Sequence, residues 1–252
     1  MAVEAARHTS VSLVACLFGA AVVAQIGYPL TSGDARDSLT VATVLLVAAA
    51  SIVHAYLSRG ARTCVVLVLV TVLGGFAVEV LGVHTGVPFG DYRYTGGLGA
   101  SAFGVPIVVA FAWPMLAWPA ALAARRLCRS YAARVAVGAW ALAAWDLFLD
   151  PQMVAAGHWS WLNPNPHLPG VPDVPLTNYA GWLVVSVLMS VALQAVVGRG
   201  GGDDRWPLAF YVWTWASSAL ALAAFLGQPT AALWSAAAMG VVAVPLARSL
   251  WS

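Results

Sequence analysis

The sequence predicts an all-α fold, a polytopic membrane bundle of about eight transmembrane helices. Of its 252 residues, 61% are hydrophobic and only 9% are charged, whereas an ordinary soluble domain has roughly 25% charged residues. Hydrophobic stretches long enough to cross the roughly 30 Å hydrocarbon layer, which needs about 20 helical residues, recur along the whole chain. These observations predict one integral membrane domain over residues 1–252.

Eight hydrophobic stretches are the predicted spans. They cover residues 10–30, 39–58, 62–83, 101–124, 131–150, 178–198, 206–227 and 229–250. Only the segment GQPT separates the last two, so seven spans plus a re-entrant piece is the alternative count. The first stretch follows a short basic start but has no evident small-residue cleavage site, so we do not expect a removable signal peptide.

The distribution of arginines predicts the orientation of the chain. All twelve basic residues are Arg, and ten fall near the termini or in the loops after the second, fourth and sixth spans: Arg7, Arg59, Arg62, Arg125, Arg126, Arg129, Arg134, Arg199, Arg205 and Arg248. The opposite loops hold only Arg36 and Arg93. Because cytoplasmic loops carry the excess of basic residues, we predict a multi-pass protein of the cell membrane with both termini in the cytoplasm. The excess of basic residues is explained by membrane topology, and it does not indicate a nucleic-acid partner.

Several function classes do not fit the composition. The chain has no Lys, so it cannot form a retinal Schiff base. Its five His lack the clustered spacing of haem or di-iron sites, and it has neither an HExxH motif nor a convincing nucleophile elbow, so intramembrane proteolysis is a poor fit. Cys16, Cys64 and Cys128 have no paired spacing and are interpreted as packing residues. No metal site is predicted.

Three acidic residues lie near the outer ends of two predicted spans. Glu79 is about one turn from the outer end of the third span, and Asp146 and Asp150 are in the last two outer turns of the fifth. Residues four apart on a helix face the same way, so two ionised carboxylates there would repel each other. At least one of the pair is therefore expected to hold its proton, which is the state that general acid catalysis needs.

Intramembrane acids are rare and usually functional, which makes these three the candidate catalytic residues. Asp146 is deeper than Asp150, and we predict that it is the proton donor. Asp150 or Glu79 would then support its protonated form and position the water. The alternative for Asp150 is a structural role at the membrane interface, with hydrogen bonds to neighbouring backbone.

The two outer loops beside the acids are the least lipid-like segments of the chain. One is rich in Gly and aromatic residues, and the other contains NPNPHLPGVPDVP, whose Pro spacing forbids regular helix. We expect both loops to fold over the outer ends of the third, fourth and fifth helices and to cover a cavity. The candidate substrate-binding residues are Trp145, Tyr92, Tyr94, His84, His158, Trp159, Trp161 and Trp113. Interfacial packing or loop hydrogen bonding is the alternative for each.

Part of the chain resembles a known family. The resemblance rests on GVHTGVPFGDYRYTGGLG, on FGVPIVVAFAWPMLAW, and on AWDLFLDPQM followed by GHWSW. Together these motifs, which run from about Glu79 to Trp161, resemble the carotenoid hydratases of the bacterioruberin and γ-carotene type, which are integral membrane proteins of carotenoid biosynthesis. The combination is more specific than any single motif, although it covers only roughly a third of the chain.

The resemblance implies addition of water across the terminal C-1,C-2 double bond of an acyclic C40 or C50 carotenoid. Protonation of C-2 would leave a tertiary cation at C-1, which water captures, and each aromatic face attracts a cation by roughly 0.5–2 kcal/mol. The implied reaction needs no cofactor. Its partners would be the carotenoid, water and membrane lipid, with other enzymes of the carotenoid pathway as further candidates.

Two other function classes stay open. The segment DLFLD also resembles the aspartate motif of intramembrane prenyltransferases, which hold magnesium and a prenyl diphosphate. Those enzymes need a second aspartate-rich motif and basic residues to grip the diphosphate, and this chain has only Arg36 and Arg93 on the side of its acids. A transporter or a non-enzymatic carotenoid-binding protein, with the acids as a proton relay, is the third class. The lack of a clear internal repeat weakly disfavours transport.

Overall fold

The computed structural model describes residues 2–198 and 202–251, with side chains from residue 13 onwards. In those ranges eight helices are long and apolar enough to cross a membrane, which confirms the predicted all-α polytopic bundle. They are α1 Ala2–Gly27, α2 Gly33–Arg59, α3 Ala61–Thr85, α4 Ile107–Leu127, α5 Tyr131–Ala155, α6 Leu176–Val196, α7 Arg205–Phe225 and α8 Pro229–Trp251. Short π-helical stretches interrupt α3 at Val68–Leu73 and end α7 at Ala221–Phe225.

Helix α4 is the centre of the bundle. In its most apolar window 72% of the residues are buried, against 22–44% for the other spans. It contains Pro114 and Pro119, and a proline cannot donate the hydrogen bond that its position in a helix requires. The Met115 carbonyl, which Pro119 leaves free, lies 3.5 Å from the Ser51 hydroxyl of α2. Interhelical hydrogen bonds of this kind let a membrane helix tolerate proline.

The same compensation corrects the predicted end of the fifth span. We expected it to end at residue 150, but α5 continues through Pro151 to Ala155. Pro151 has no N–H for the Leu147 carbonyl, and the Ser235 hydroxyl of α8 donates to that carbonyl at 2.7 Å. The helix therefore survives the proline because a neighbouring helix supplies the missing donor.

The predicted start of the fourth span is wrong by six residues, from 101 to Ile107. Residues 101–106 form a small hairpin in which β2, Ser101–Ala102, pairs antiparallel with β3, Val105–Pro106. Phe103 and Gly104 at its turn have φ angles of 51° and 80°, which a right-handed helix cannot include.

The two long outer loops are joined by a sheet. Strand β1, Tyr92–Tyr94, pairs antiparallel with β4, Trp159–Trp161, so that Tyr92 is opposite Trp161 and Tyr94 is opposite Trp159. The proline-rich segment forms a second hairpin from β5, His167–Leu168, and β6, Val171–Pro175, as its spacing predicted. Both loops therefore lie at one end of the bundle.

The opposite end holds the arginine-rich loops. Arg59 at the end of α2 contacts Asp204, just before α7, at 2.6 Å. This contact places two of the predicted cytoplasmic segments together. Arg199 and the side chain of Arg7, which also entered the orientation argument, lie outside the described residues.

We predict that a reporter fused to the C-terminus is active in the cytoplasm, because the arginine-rich end should face it. The measurement is a paired fusion of a reporter active only in the cytoplasm and one active only outside. A fusion within the loop of residues 156–175 serves as the opposite control. An external C-terminus would overturn the predicted topology.

Candidate active site

Glu79 is a buried acceptor for the first loop. Its side chain is only 5% exposed, and its Oε2 accepts hydrogen bonds from Tyr92 Oη at 2.5 Å and Tyr94 Oη at 2.9 Å. Alternate residues of a strand point to the same side, so β1 directs both phenols at one carboxyl group. The Trp113 side chain lines the same cavity as Glu79. Two hydrogen-bond donors directed at one oxygen suit an ionised carboxylate, because such a group can only accept hydrogen bonds.

The two tyrosines remain donors at ordinary pH. Burial raises the pKa of Tyr92 and of Tyr94 well above the usual range, and the neighbouring Glu79 carboxyl raises it further. Gly82 makes room for this arrangement, since a Cβ there would lie 2.9 Å from Tyr92 Oη. Both phenols can therefore donate to Glu79 throughout the neutral range.

Asp146 and Asp150 form a pair that is bridged by another helix. Asp146 is fully buried and Asp150 is 3% exposed. Asn178 of α6 uses Nδ2 to donate to Asp146 Oδ2 at 2.8 Å and also to Asp150 Oδ2. Trp159 Nε1 donates to Asp150 Oδ1 at 3.0 Å. The pair is thus tied to both α6 and the paired loops.

The contact between the two aspartates suits one shared proton. Both carboxyl groups accept from the same amide nitrogen, Asn178 Nδ2, so they lie close together, and two neighbouring buried acids favour a state with one proton because two negative charges there would repel each other. Asp146 Oδ1 is buried and has no protein hydrogen-bond partner among the described residues.

A small cavity separates Glu79 from the aspartate pair. It has a volume of about 60 Å³, and its polar wall includes Glu79, Asp150 and Asn178. The aromatic part of its wall comprises Phe89, Tyr92, Tyr94, Trp113, Trp159, Trp161 and Trp182. The cavity wall therefore combines two carboxyl groups, from α3 and α5, with seven aromatic rings.

Asp146 and Asp150 differ in their position relative to the cavity. Asp146 is not on the cavity wall, whereas Asp150, which it contacts, is. Helix α5 presents Asp150 to the cavity, whereas Asp146 is fully buried next to it. This geometry leads us to propose Asp150, in place of the predicted Asp146, as the proton donor.

The aromatic candidates are divided between two cavities. Tyr92, Tyr94, Trp113, Trp159 and Trp161 line the cavity with the acids. Trp145 instead lines a larger neighbouring cavity, although its ring contacts Trp182 edge-on at 6.0 Å.

The two histidine candidates do not reach the acids. His84 is exposed at the end of α3. His158 is buried, but its Nε2 lies 3.5 Å from Asp37 Oδ1 and its Nδ1 lies 3.3 Å from the Gly96 carbonyl. Neither histidine lines the cavity with the acids. His158 instead holds the outer loops against the start of α2.

Asn178, Trp182 and Phe89 are site residues that the sequence reasoning missed. The ring of Trp182 stacks on Trp113 at 4.2 Å between centroids. Asn178 and Trp182 are four apart on α6 and so share a face. A polar residue followed one turn later by a large aromatic, at the outer end of an apolar span, was the available signal.

The close approach of Trp113 depends on a glycine of α3. A Cβ on Gly75 would collide with the Trp113 indole ring. The small residue therefore lets α4 bring Trp113 against both Glu79 and Trp182. Within the described residues, no group of three or more His, Cys, Asp or Glu has the arrangement of a metal site.

Comparison with known proteins identifies the family. A family model described as carotenoid biosynthesis protein matches residues 39–246. The chain belongs to this family. Bisanhydrobacterioruberin hydratase of Haloarcula japonica is 33% identical over 139 residues, which cover 51% of this chain and 44% of that relative. The match thus spans less than half the length of the curated relative.

No solved structure matches this carotenoid biosynthesis protein. Membership in the family confirms the resemblance that the motifs between Glu79 and Trp161 indicated. It also agrees with a multi-pass membrane protein, since eight apolar helices occur in the described ranges.

Proposed function

We propose that this carotenoid biosynthesis protein is a carotenoid 1,2-hydratase, which adds water across the terminal double bond of an acyclic carotenoid. The observation that carries the proposal is a small aromatic cavity whose wall includes both Glu79 and Asp150, the partner of Asp146. The name of the curated relative, a hydratase of a carotenoid, supports the same class of reaction.

The first step is protonation of the alkene. Asp150 gives its proton to C-2 of the end group, which leaves a tertiary cation at C-1 and a carboxylate on Asp150. Asp146 and Asn178, both in contact with Asp150, hold that group in place. The stacked Trp113 and Trp182 rings face the same cavity, and aromatic faces stabilise a nearby cation by roughly 0.5–2 kcal/mol each.

The second step is capture of the cation by water. Glu79 is held by its tyrosine donors on the opposite side of the cavity, where it can accept a proton as the water oxygen bonds to C-1. The proton then returns to the aspartate pair through water in the cavity. The sum is one alkene plus one water giving one tertiary alcohol. No electrons are gained or lost, so the reaction requires no oxidant or reductant.

The direct test is product analysis after co-expression with an acyclic-carotenoid pathway. We expect the carotenoid to gain the mass of one water per reacted end. Unchanged carotenoid in cells that contain the folded protein in their membranes would contradict hydration. A product that gains a prenyl unit only when magnesium and a prenyl diphosphate are added to the purified protein would instead identify prenyl transfer.

Removal of the amide that bridges the aspartates should impair both stability and hydration. In Asn178→Ala the Asp146 Oδ2 loses its donor, and an unsatisfied buried polar group costs about 1–3 kcal/mol. We expect a lower unfolding temperature in detergent and a fall in hydration of about tenfold or more, because Asp150 is no longer held.

Gln194→Ala is the matched control for this variant. Gln194 is also a buried amide of α6, but its Nε2 donates to the Ala121 carbonyl at 3.0 Å, away from the acids. Gln194→Ala should lower the unfolding temperature without a specific loss of hydration per folded molecule. An equal loss of hydration in both variants would show that Asn178 acts only through stability.

A further inference from the structure

A second and larger cavity adjoins the one that contains the acids. Its volume is about 390 Å³, within the range of small-molecule sites. Its wall is mostly apolar and comes from α1, α2, α4, α5 and α7, with Met115, Phe148, Trp213 and Ser217 among its residues. We call it the lateral groove.

The lateral groove and the acid cavity share one stretch of wall. Thr40, Val44, Ala112, Leu149 and Met153 line both. Ala112 has the smallest side chain of these five. The shared wall is therefore the place where an extended molecule can pass from one cavity into the other.

The size of the acid cavity requires a second compartment for a long substrate. A volume of about 60 Å³ corresponds to the share of only about two water molecules in the liquid, at roughly 30 Å³ each. Such a space is too small for a polyene, so the chain of a substrate must lie elsewhere. The adjoining groove is large enough and apolar enough to receive it.

The lateral groove is bordered by side chains that face the lipid. Ile26 and Leu30 at the outer end of α1 are 50% and 67% exposed, and Leu220 and Phe225 at the end of α7 are 61% and 53% exposed. All four also belong to the wall of the groove. In a membrane bundle, large apolar side chains with this exposure are expected to contact the hydrocarbon layer. The border between α1 and α7 is thus a route for a molecule that is dissolved in the membrane.

We propose that the lateral groove binds the conjugated chain of the substrate. The polyene enters from the lipid between α1 and α7 and directs its reacting end past Ala112 into the acid cavity. The small side chain of Ala112 leaves room for the polyene to pass. Any larger side chain at this position would narrow the passage between the two cavities. This inference rests on the proposed function for the class of substrate, and on the two adjoining cavities for the place where it binds.

The test measures bound carotenoid in a background that does not turn it over. The full-length protein with Asp150→Asn is purified from cells that make an acyclic C40 carotenoid, and the bound carotenoid per protein is read from its absorbance. Adding Ser217→Trp fills the groove away from the acids, and adding Ala112→Phe narrows the passage. Each should lower the bound carotenoid by about tenfold or more, equivalent to at least about 1.4 kcal/mol of binding free energy.

Ala209→Trp, also in the Asp150→Asn background, is the control. Ala209 is an exposed residue of the same helix as Ser217 and is not part of the groove wall, so its replacement should leave the bound carotenoid unchanged. Each protein is checked for a single symmetrical peak in size-exclusion chromatography. If Ser217→Trp does not give folded protein, Ala112→Phe decides the question.

The two proposals fail in different ways. If Ser217→Trp and Ala112→Phe, each without Asp150→Asn, bind and hydrate the C40 carotenoid like the parent protein, the groove assignment is wrong while hydration stands. If the parent protein makes no hydrated product but both variants still lose bound carotenoid in the Asp150→Asn background, the groove assignment stands and the reaction is wrong.

Discussion

Replacement of Asp150 by Asn is expected to lower hydration of an acyclic carotenoid by about 10²-fold or more, the size of a typical general-acid contribution. Asp150 is the member of the aspartate pair that lines the cavity, and Asn keeps its shape but has no acidic proton. Asp150 accepts from Trp159 and Asn178 with different oxygens and Asn keeps only one acceptor oxygen, so folding and insertion of the variant are checked beside its activity. The measurement is the rate of product formation per folded molecule in detergent or reconstituted membranes.

Two further Asp to Asn changes show whether the effect is specific. Asp173→Asn alters an exposed residue of β6 and should leave the rate unchanged. Asp146→Asn removes the partner that shares the proton but leaves Asp150 on the wall, so a smaller loss of about tenfold is expected. If Asp146→Asn loses more activity than Asp150→Asn, Asp146 gives the proton, as its depth in the sequence first suggested.

Glu79→Gln is expected to lower hydration by about 10²-fold, because it removes both the base that accepts the proton of water and the charge that faces the cation. Gln retains an oxygen that can accept from Tyr92 and Tyr94, so the outer loop should remain in place. The hydration rate and the unfolding temperature of the variant are measured together.

The tyrosines provide the control for this prediction. Tyr94→Phe keeps the Glu79 charge and the hydrogen bond from Tyr92 but removes the second donor, which is worth about 0.5–1.5 kcal/mol. It should therefore lose much less activity than Glu79→Gln. A Glu79→Gln protein with near-normal turnover would show that the carboxylate is not needed and that another group activates the water.

The helices could be predicted because a membrane span has a simple signature. Length and hydropathy located all eight spans, and the Pro spacing predicted the extended conformation of the 167–175 segment. The errors at 101–106 and beyond residue 150 have tertiary causes. A positive φ at Phe103 is not visible in an apolar run, and the survival of α5 beyond Pro151 depends on a hydroxyl 84 residues away in the sequence, that of Ser235.

The three acids could be found from the sequence, but their contacts and their positions relative to the cavity could not. Charged residues are rare in apolar helices, so the sequence alone indicates Glu79, Asp146 and Asp150 as candidates. Which carboxyl faces a cavity depends on how α5 is rotated against its neighbours, and this rotation is set by side-chain packing. Asn178 was missed because its role comes from contacts with residues 28 and 32 positions away.

Isotope incorporation in the purified protein tests the central claim, acid-catalysed addition of water, most directly. The reaction is run in deuterium oxide that carries heavy oxygen, under air of natural oxygen composition, and the product is examined by mass spectrometry and NMR. We expect one deuterium at C-2 and solvent-derived oxygen at C-1 for every reacted end, with neither in the Asp150→Asn protein at matched time. Hydroxyl oxygen from the air, or a hydroxylated product without deuterium at C-2, would contradict hydration by proton transfer and water capture.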